Sequence, residues 1–318
     1  MINIKKYLRV LLSKCGLALK RDLDLWKTNF VPPGHYYSPY VNKKDLANSI
    51  SNYRKDDYNL LGIDLNNDLQ LELLNDIVKF YDEKSIPITK SSNFNYYFDN
   101  QYFSYSDAII LKSLILKFKP KKIIEIGSGF SSALMIDINK QFFNNSIHLN
   151  FIEPFPENRL NNLINKDDSC HVIKDFVQKI DLDIYSTLEK NDILFVDSSH
   201  VSKALSDVNH IIFNILPILK PGVIIHFHDI FYPFEYPQEW ILSDRAWNEA
   251  YLLRAFLQFN DKFEILLFSS YLENQYRSWF ETNMPFCLKK HEYWIDENGR
   301  SYLLNTGGQS IYLRRMDV

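Results

Sequence analysis

Two apolar runs in this chain end on acids with a histidine close by. The first, DILFVDSSH at 192–200, passes through Ile193–Val196 into Asp197 and reaches His200 three residues later. The second, GVIIHFHDI at 222–230, carries His226 and His228 inside an apolar stretch and ends on Asp229. Carboxylates and imidazoles hold divalent cations and move protons near neutral pH. Brought together, Asp197, Asp229 and His228 form a ligand set for Mg2+ or Mn2+. His200 is then a general base, able to take the proton of a hydroxyl as its oxygen attacks an electrophilic carbon. His226 sits deeper in its run and reads as a buried histidine bonded to a neighbour.

These residues need strands to bring them together. From about residue 105 the pattern is regular. An amphipathic helix (SYSDAIILKSLILKFKP, with Asp107 near its start and Pro120 ending it) is followed by apolar runs at 122–126, 148–152, 170–173, 192–196 and 222–227. Helical stretches fall between them, near 130–141, 156–165, 175–180 and 202–219. Continuous apolar strands alternating with helices predict a parallel sheet covered on both faces. KFEILLFSS (262–270) and SIYLRRM (310–316) predict two further strands, with helices near 244–258 and 271–282. The expected fold is α/β: a doubly wound seven-stranded sheet of five parallel strands plus an antiparallel terminal pair. Residues 105–318 form this Rossmann-like domain, and 1–104 form a helical N-terminal extension with helices at 44–54 and 66–83. In such an order the fourth and fifth strands lie side by side, about 4.8 Å apart, next to the switch point where ligands bind.

The first strand leads into a glycine turn, KIIEIGSGFSSALMIDI at 122–138. Gly127 and Gly129 allow positive φ and close approach of a ligand to the backbone, and the helix that follows presents free amides. Glu153, at the end of the second strand, can accept both hydroxyls of a ribose. Two nucleosides suit this layout, NAD and S-adenosylmethionine. The third position of a dinucleotide fingerprint is Ser132 here, where glycine or alanine is the usual choice for close helix packing.

The segment EIGSGFSS, spanning Glu125, Gly127, Ser128 and Gly129, resembles the first motif of class I S-adenosylmethionine-dependent methyltransferases. Glu153 matches that family's ribose acid, and Asp175 and Phe176 of VIKDFV stand where the family contacts adenine. The likeness covers roughly 105–318. DSSH followed by HD further resembles the metal-dependent sugar O-methyltransferases, with His228 where those enzymes carry an acid. The resemblance implies S-adenosylmethionine as cofactor, a divalent metal, and a small-molecule or glycan acceptor.

Composition agrees with a globular protein: 318 residues, 46% hydrophobic and 15% aromatic, with a net charge of −3. The acidic balance argues against a nucleic-acid partner. Three widely spaced cysteines (Cys15, Cys170, Cys287) without a CxxC point to the reducing cytoplasm rather than a disulfide framework. The N-terminal 21 residues carry six basic groups, no acid, and an apolar helical face. Such a helix either lies on an anionic membrane surface, packs on its own domain, or packs on a partner subunit in a homo-oligomer. Residues 231–249, an aromatic loop after the fifth strand, either stack on a sugar through Tyr232, Tyr236, Trp240 and Trp247 or fill the core; Arg245 and Glu249 can bond acceptor hydroxyls. Two competing functions remain. An NAD-dependent oxidoreductase would need a hydride-transfer dyad near the fifth strand, and none is visible. A non-catalytic binding module would not require Gly127, Glu153 and Asp197, which are all present.

Overall fold

The computed structural model describes residues 30, 31, 34–42, 46, 60–103, 105–289, 294, 295, 301, 302 and 307–317. The basic helix expected over 1–21, and that over 44–54 apart from Leu46, lie outside the described residues.

The chain divides into two compact units. The smaller comprises 1–53 and 241–246; the larger comprises 54–240 and 247–318. In the smaller, a turn is closed by the Ser38 amide on the His35 carbonyl (2.7 Å). Phe30 and Tyr37 stack there at 5.7 Å.

The larger unit is built on a seven-stranded sheet. Its strands are β1 (Lys122–Ile126), β2 (His148–Ile152), β3 (His171–Ile173), β4 (Ile193–Val196), β5 (Ile224–His228), β6 (Phe263–Phe268) and β7 (Ser310–Arg315). The order is β3-β2-β1-β4-β5-β7-β6. The first five pair in parallel, and β7 runs antiparallel to both β5 and β6. The expected doubly wound sheet with an antiparallel terminal pair is therefore present. Every residue of β4 and β5 is buried. Fully burying one apolar side chain contributes about 1.5–3 kcal/mol, which explains why these runs are apolar apart from His226 and His228.

Four helices of this unit are α1 (Asn67–Ile77), α2 (Tyr105–Phe118), α3 (Phe130–Phe143) and α4 (Glu249–Leu257), of which the last three bear on the site. α2 is buried continuously from Tyr105 to Ile115, and with it Asp107. The glycine turn feeds α3, which is buried from Phe130 to Asn139. The helix expected over 156–165 is instead two short 3-10 turns, Pro156–Asn158 and Leu160–Asn162. That over 202–219 is broken into an α turn at Asp207–His210, a wider turn at Ile211–Ile215 and a 3-10 turn at Leu216–Ile218 containing Pro217. Proline has no amide to donate to the preceding turn, so regular helix ends there.

Candidate active site

The register of the central strands sets the site. Val196 of β4 pairs with Phe227 of β5, so the next residues along, Asp197 and His228, emerge together at the carboxyl edge. β1 pairs with β4 on its other side, Ile126 opposite Val196, so the glycine turn emerges beside Asp197. The Asp197 amide still bonds the Ile126 carbonyl (2.9 Å), holding the two endings in register.

Gly127 has φ +79°, and a Cβ there would sit 1.9 Å from the Asp197 carbonyl oxygen. Only glycine permits both the left-handed backbone and the approach. The turn is then tied down by acids. Glu153 accepts the Ser128 amide (3.1 Å) and the Phe155 amide (2.8 Å). The Gly129 amide donates to Ser132 Oγ (3.0 Å). Glu125 is fully buried and accepts the hydroxyls of Ser131 and Ser132. Burial raises its pKa to about 8, and the serine hydrogen bonds offset part of that rise. Glu125 thus braces the turn from beneath.

A cleft of about 400 Å³ opens over the turn, lined among others by Gly127, Glu153, Phe155, Phe176, Asp197 and Leu205. Phe155 and Phe176 stand edge to face at 5.7 Å, both partly exposed. Asp175 lies off this lining: its carboxylate accepts the Phe176 amide (2.8 Å) and pairs with Lys179 (3.1 Å). It orients the segment that carries Phe176.

At the Asp197 end of the cleft the side chains converge. His200 Nε2 lies 3.3 Å from Asp197 Oδ1 and 3.5 Å from Asp229 Oδ2. One ligand atom from each of Asp197, His200 and Asp229 falls within 4.8 Å of the others. His200 and Asp229 both have left-handed φ, +60° and +58°, conformations that non-glycine residues adopt at a cost and that cluster at functional sites. His200 Nδ1 is 2.8 Å from Glu249 Oε2. Burial disfavours the charged imidazole, but the hydrogen bonds to Asp197 and Glu249 and the charges of Glu249 and Asp229 outweigh it, lifting the His200 pKa to about 10. For Asp197, burial is likewise overcome by its two imidazole neighbours, and its pKa is lowered. Burial holds the Asp229 pKa above the usual carboxylate range, against the pull of both histidines.

His228, expected among the ligands, stands beside this set of three rather than in it. Its Nδ1 is 3.7 Å from both Asp197 and Asp229, and its Nε2 is 3.6 Å from Asp107 of α2. Ringed by three carboxylates, its pKa is raised despite burial. His226 is the buried histidine its position suggested. Its Nε2 is bonded to Ser310 Oγ (2.7 Å), its ring is flanked by Phe195 and Tyr312 at 4.1 Å each, and burial lowers its pKa.

Two acids at the site gave only weak signals in the sequence. Asp107 resembled an ordinary helix-start acid, yet it bonds Ser310 Oγ (2.7 Å) and faces His228. Glu249 was expected to meet acceptor hydroxyls; it is 1% exposed and bonded to His200. Most of the aromatic loop resolves the same way, while Trp247 is half-buried against the His200 ring (4.3 Å). Tyr232, Tyr236 and Trp240 are 7%, 2% and 3% exposed, so these rings fill the core and offer no stacking face.

Residues 124–230 match the family described as a methyltransferase domain, a span from β1 through both strand endings. The chain carries a methyltransferase domain. It belongs to one family with an uncharacterized protein of Archaeoglobus fulgidus, 39% identical over 167 residues, 51% of this chain and 75% of that one. Among solved structures it is similar to the CmcI-N160 apo-structure, with 14% identity, 68% of this chain and 73% of that chain covered, and a TM-score of 0.38. It is also similar to an O-methyltransferase from Bacillus cereus in complex with SAH: 12% identity, 86% and 97% covered, TM-score 0.36. A putative caffeoyl-CoA O-methyltransferase from Staphylococcus aureus gives 15% identity, 86% and 99% covered, TM-score 0.34. The domain has its glycine turn, Glu153 and the cleft on one edge of the sheet. Among the described residues, no helix is long and apolar enough to cross a membrane.

Proposed function

We propose that this methyltransferase moves the methyl group of S-adenosylmethionine to a hydroxyl oxygen, at the cluster of Asp197, His200 and Asp229. The observation that carries this reading is the position of the cluster, since Asp197 belongs both to the cleft lining and to the ligand set. The donor's adenosine lies along Glu153, Phe155 and Phe176, and its amino-acid end meets the turn at Gly127, Ser128 and Gly129. The acceptor oxygen attacks the methyl carbon, the carbon–sulfur bond breaks, and sulfur keeps the electron pair.

An alcohol is a poor nucleophile because its pKa lies far above 7, so its proton must be taken or its oxygen polarised. The cluster fits a divalent cation. The oxygens of Asp197 and Asp229 lie 3.3–3.7 Å from the imidazole nitrogens, longer than a normal charge-assisted hydrogen bond. Both nitrogens of buried His228 lack a hydrogen bond. Buried charges of this kind are paired tightly or coordinate a metal. Asp197, Asp229 and His200 Nε2 would hold Mg2+ or Mn2+, which supplies a Lewis acid for the hydroxyl. The hydroxyl proton passes to Asp229, the carboxylate of the pair whose pKa burial holds above the ordinary range. His200 Nε2 can hold either the cation or the hydroxyl proton, so in this reading His200 serves as a ligand and not as the base.

A sugar or glycan as the acceptor rests on the resemblance of the DSSH and HD endings. A cytoplasmic location rests on cysteine usage, with Cys170 and Cys287 both free thiols.

Calorimetric titration with S-adenosylmethionine, with NAD as control, tests the donor. Micromolar binding of the first alone is expected, and its absence overturns the reading. Methyl transfer to a panel of sugar and phenolic hydroxyls, with and without chelator, tests the rest. Turnover unaffected by chelation would remove the cation.

A further inference from the structure

Glu249 opens α4, immediately after the aromatic loop, and its carboxylate is committed on both oxygens. Oε2 meets His200 Nδ1 at 2.8 Å, and Oε1 accepts the Ser198 hydroxyl at 2.9 Å. The main chain repeats the attachment. The amides of Asn248 and Glu249 both donate to the His200 carbonyl, at 3.0 and 3.2 Å. The Asn248 side chain clasps Ser202 from both sides, accepting its amide at 2.6 Å and donating to its carbonyl at 3.2 Å. Trp247 lays its ring over the imidazole at 4.3 Å. Residues 247–249 thus hold residues 198–202, and His200 is left with one nitrogen, Nε2, turned toward Asp197 and Asp229.

We propose that Glu249 is a positioning residue that fixes the ring and tautomer of His200, making Nε2 the third ligand of a divalent cation beside Asp197 and Asp229. The inference rests on the cation reading of the cluster. A histidine that binds a metal through Nε2 carries its proton on Nδ1. A carboxylate on that N–H locks the ring plane and makes Nε2 a better donor; such partners are worth about tenfold to hundredfold in metal affinity. The rotation about χ2 of a histidine is otherwise broad. A purely structural Glu249 would only satisfy a buried N–H, and its loss would lower stability without singling out the cation.

The test is calorimetric titration of the full chain with Mn2+, and separately with S-adenosylhomocysteine. Glu249→Gln keeps the shape and an acceptor oxygen. It is expected to weaken Mn2+ roughly tenfold to hundredfold while leaving S-adenosylhomocysteine affinity within about twofold. If that variant does not fold, Glu249→Asp, which keeps the charge but withdraws it by one methylene, is expected to weaken Mn2+ in the same direction. Mn2+ affinity equal to wild type in a folded variant overturns the inference and leaves the cation reading standing. Parallel loss of both ligands also overturns it, assigning Glu249 a structural role. Wild type that binds S-adenosylhomocysteine but no Mn2+ overturns inference and cation together, while methyl transfer survives.

Discussion

Gly127 rests on the main chain of Asp197: the carbonyl oxygen of Asp197 occupies the space a Gly127 side chain would need, 1.9 Å from an ideal Cβ. The glycine turn and Asp197 are therefore one mechanical unit. Whatever moves the turn moves the acid.

Gly127→Ala should damage both. Overpacking of this kind costs about 1–3 kcal/mol, and the left-handed backbone costs an L residue about 1–2 kcal/mol more. For a chain of this size the melting temperature should fall by at least about 3 °C. Thermal unfolding checks this, and an unchanged transition would show that the contact relaxes freely.

Glu153→Gln should weaken S-adenosylhomocysteine without unfolding the protein. The carboxylate steadies the turn through the Ser128 amide and, in the proposed pose, accepts ribose hydroxyls. Hydrogen bonds to a charged acceptor are worth about 1.5–3 kcal/mol, or roughly tenfold to hundredfold in Kd. Calorimetry reads this directly.

Asp229→Asn isolates charge from backbone shape. Asp229 has φ +58°, and asparagine is among the few residues that tolerate this region. The variant should keep its fold and its donor affinity, and lose Mn2+ affinity by about tenfold or more. Retained Mn2+ binding would remove Asp229 from the ligand set.

Glu125 should give the stability curve a slope. Its folded pKa, about 8, lies above its ordinary value of 4.5, so the native state holds this proton more tightly than the unfolded chain. Its contribution is complete below pH 4.5 and is lost as pH rises toward 8. Denaturant unfolding of wild type at pH 5, 6.5 and 8 should show this decline, and Glu125→Gln should flatten that part of it. An equal slope in the variant would mean another group carries it.

The strands were legible because their signals are local. KIIEI at 122–126 is β1 at its observed bounds, and the run at 192–196 differs from β4 by one residue at its start. Continuous apolar character is what a strand buried on both faces requires. The helices between 156 and 219 were less legible. Apolar spacing there suits a helix, but Pro217 removes a donor from the ladder that spacing alone assumes, and the segment after Pro156 closes only as two 3-10 turns. The aromatic loop carried two readings because a tyrosine in a core and one in a binding face are the same residue; only burial separates them.

For the site, residue type alone supplies the inventory: a glycine turn after β1, an acid after β2, Asp197 and His200 after β4, and Asp229 after β5 beside His228, its last residue. These follow from residue type at strand ends, which the alternating pattern locates. Tertiary structure decided which nitrogen faces which carboxylate. Glu249 lies 49 positions from His200, and Asp107 lies 203 positions from its partner Ser310. No local periodicity links such residues. Their pairing depends on side-chain rotation and on how α2 and α4 pack at the carboxyl edge of the sheet. That packing turns His200 toward the two aspartates and His228 toward Asp107, a distinction set by hydrogen bonds between distant segments.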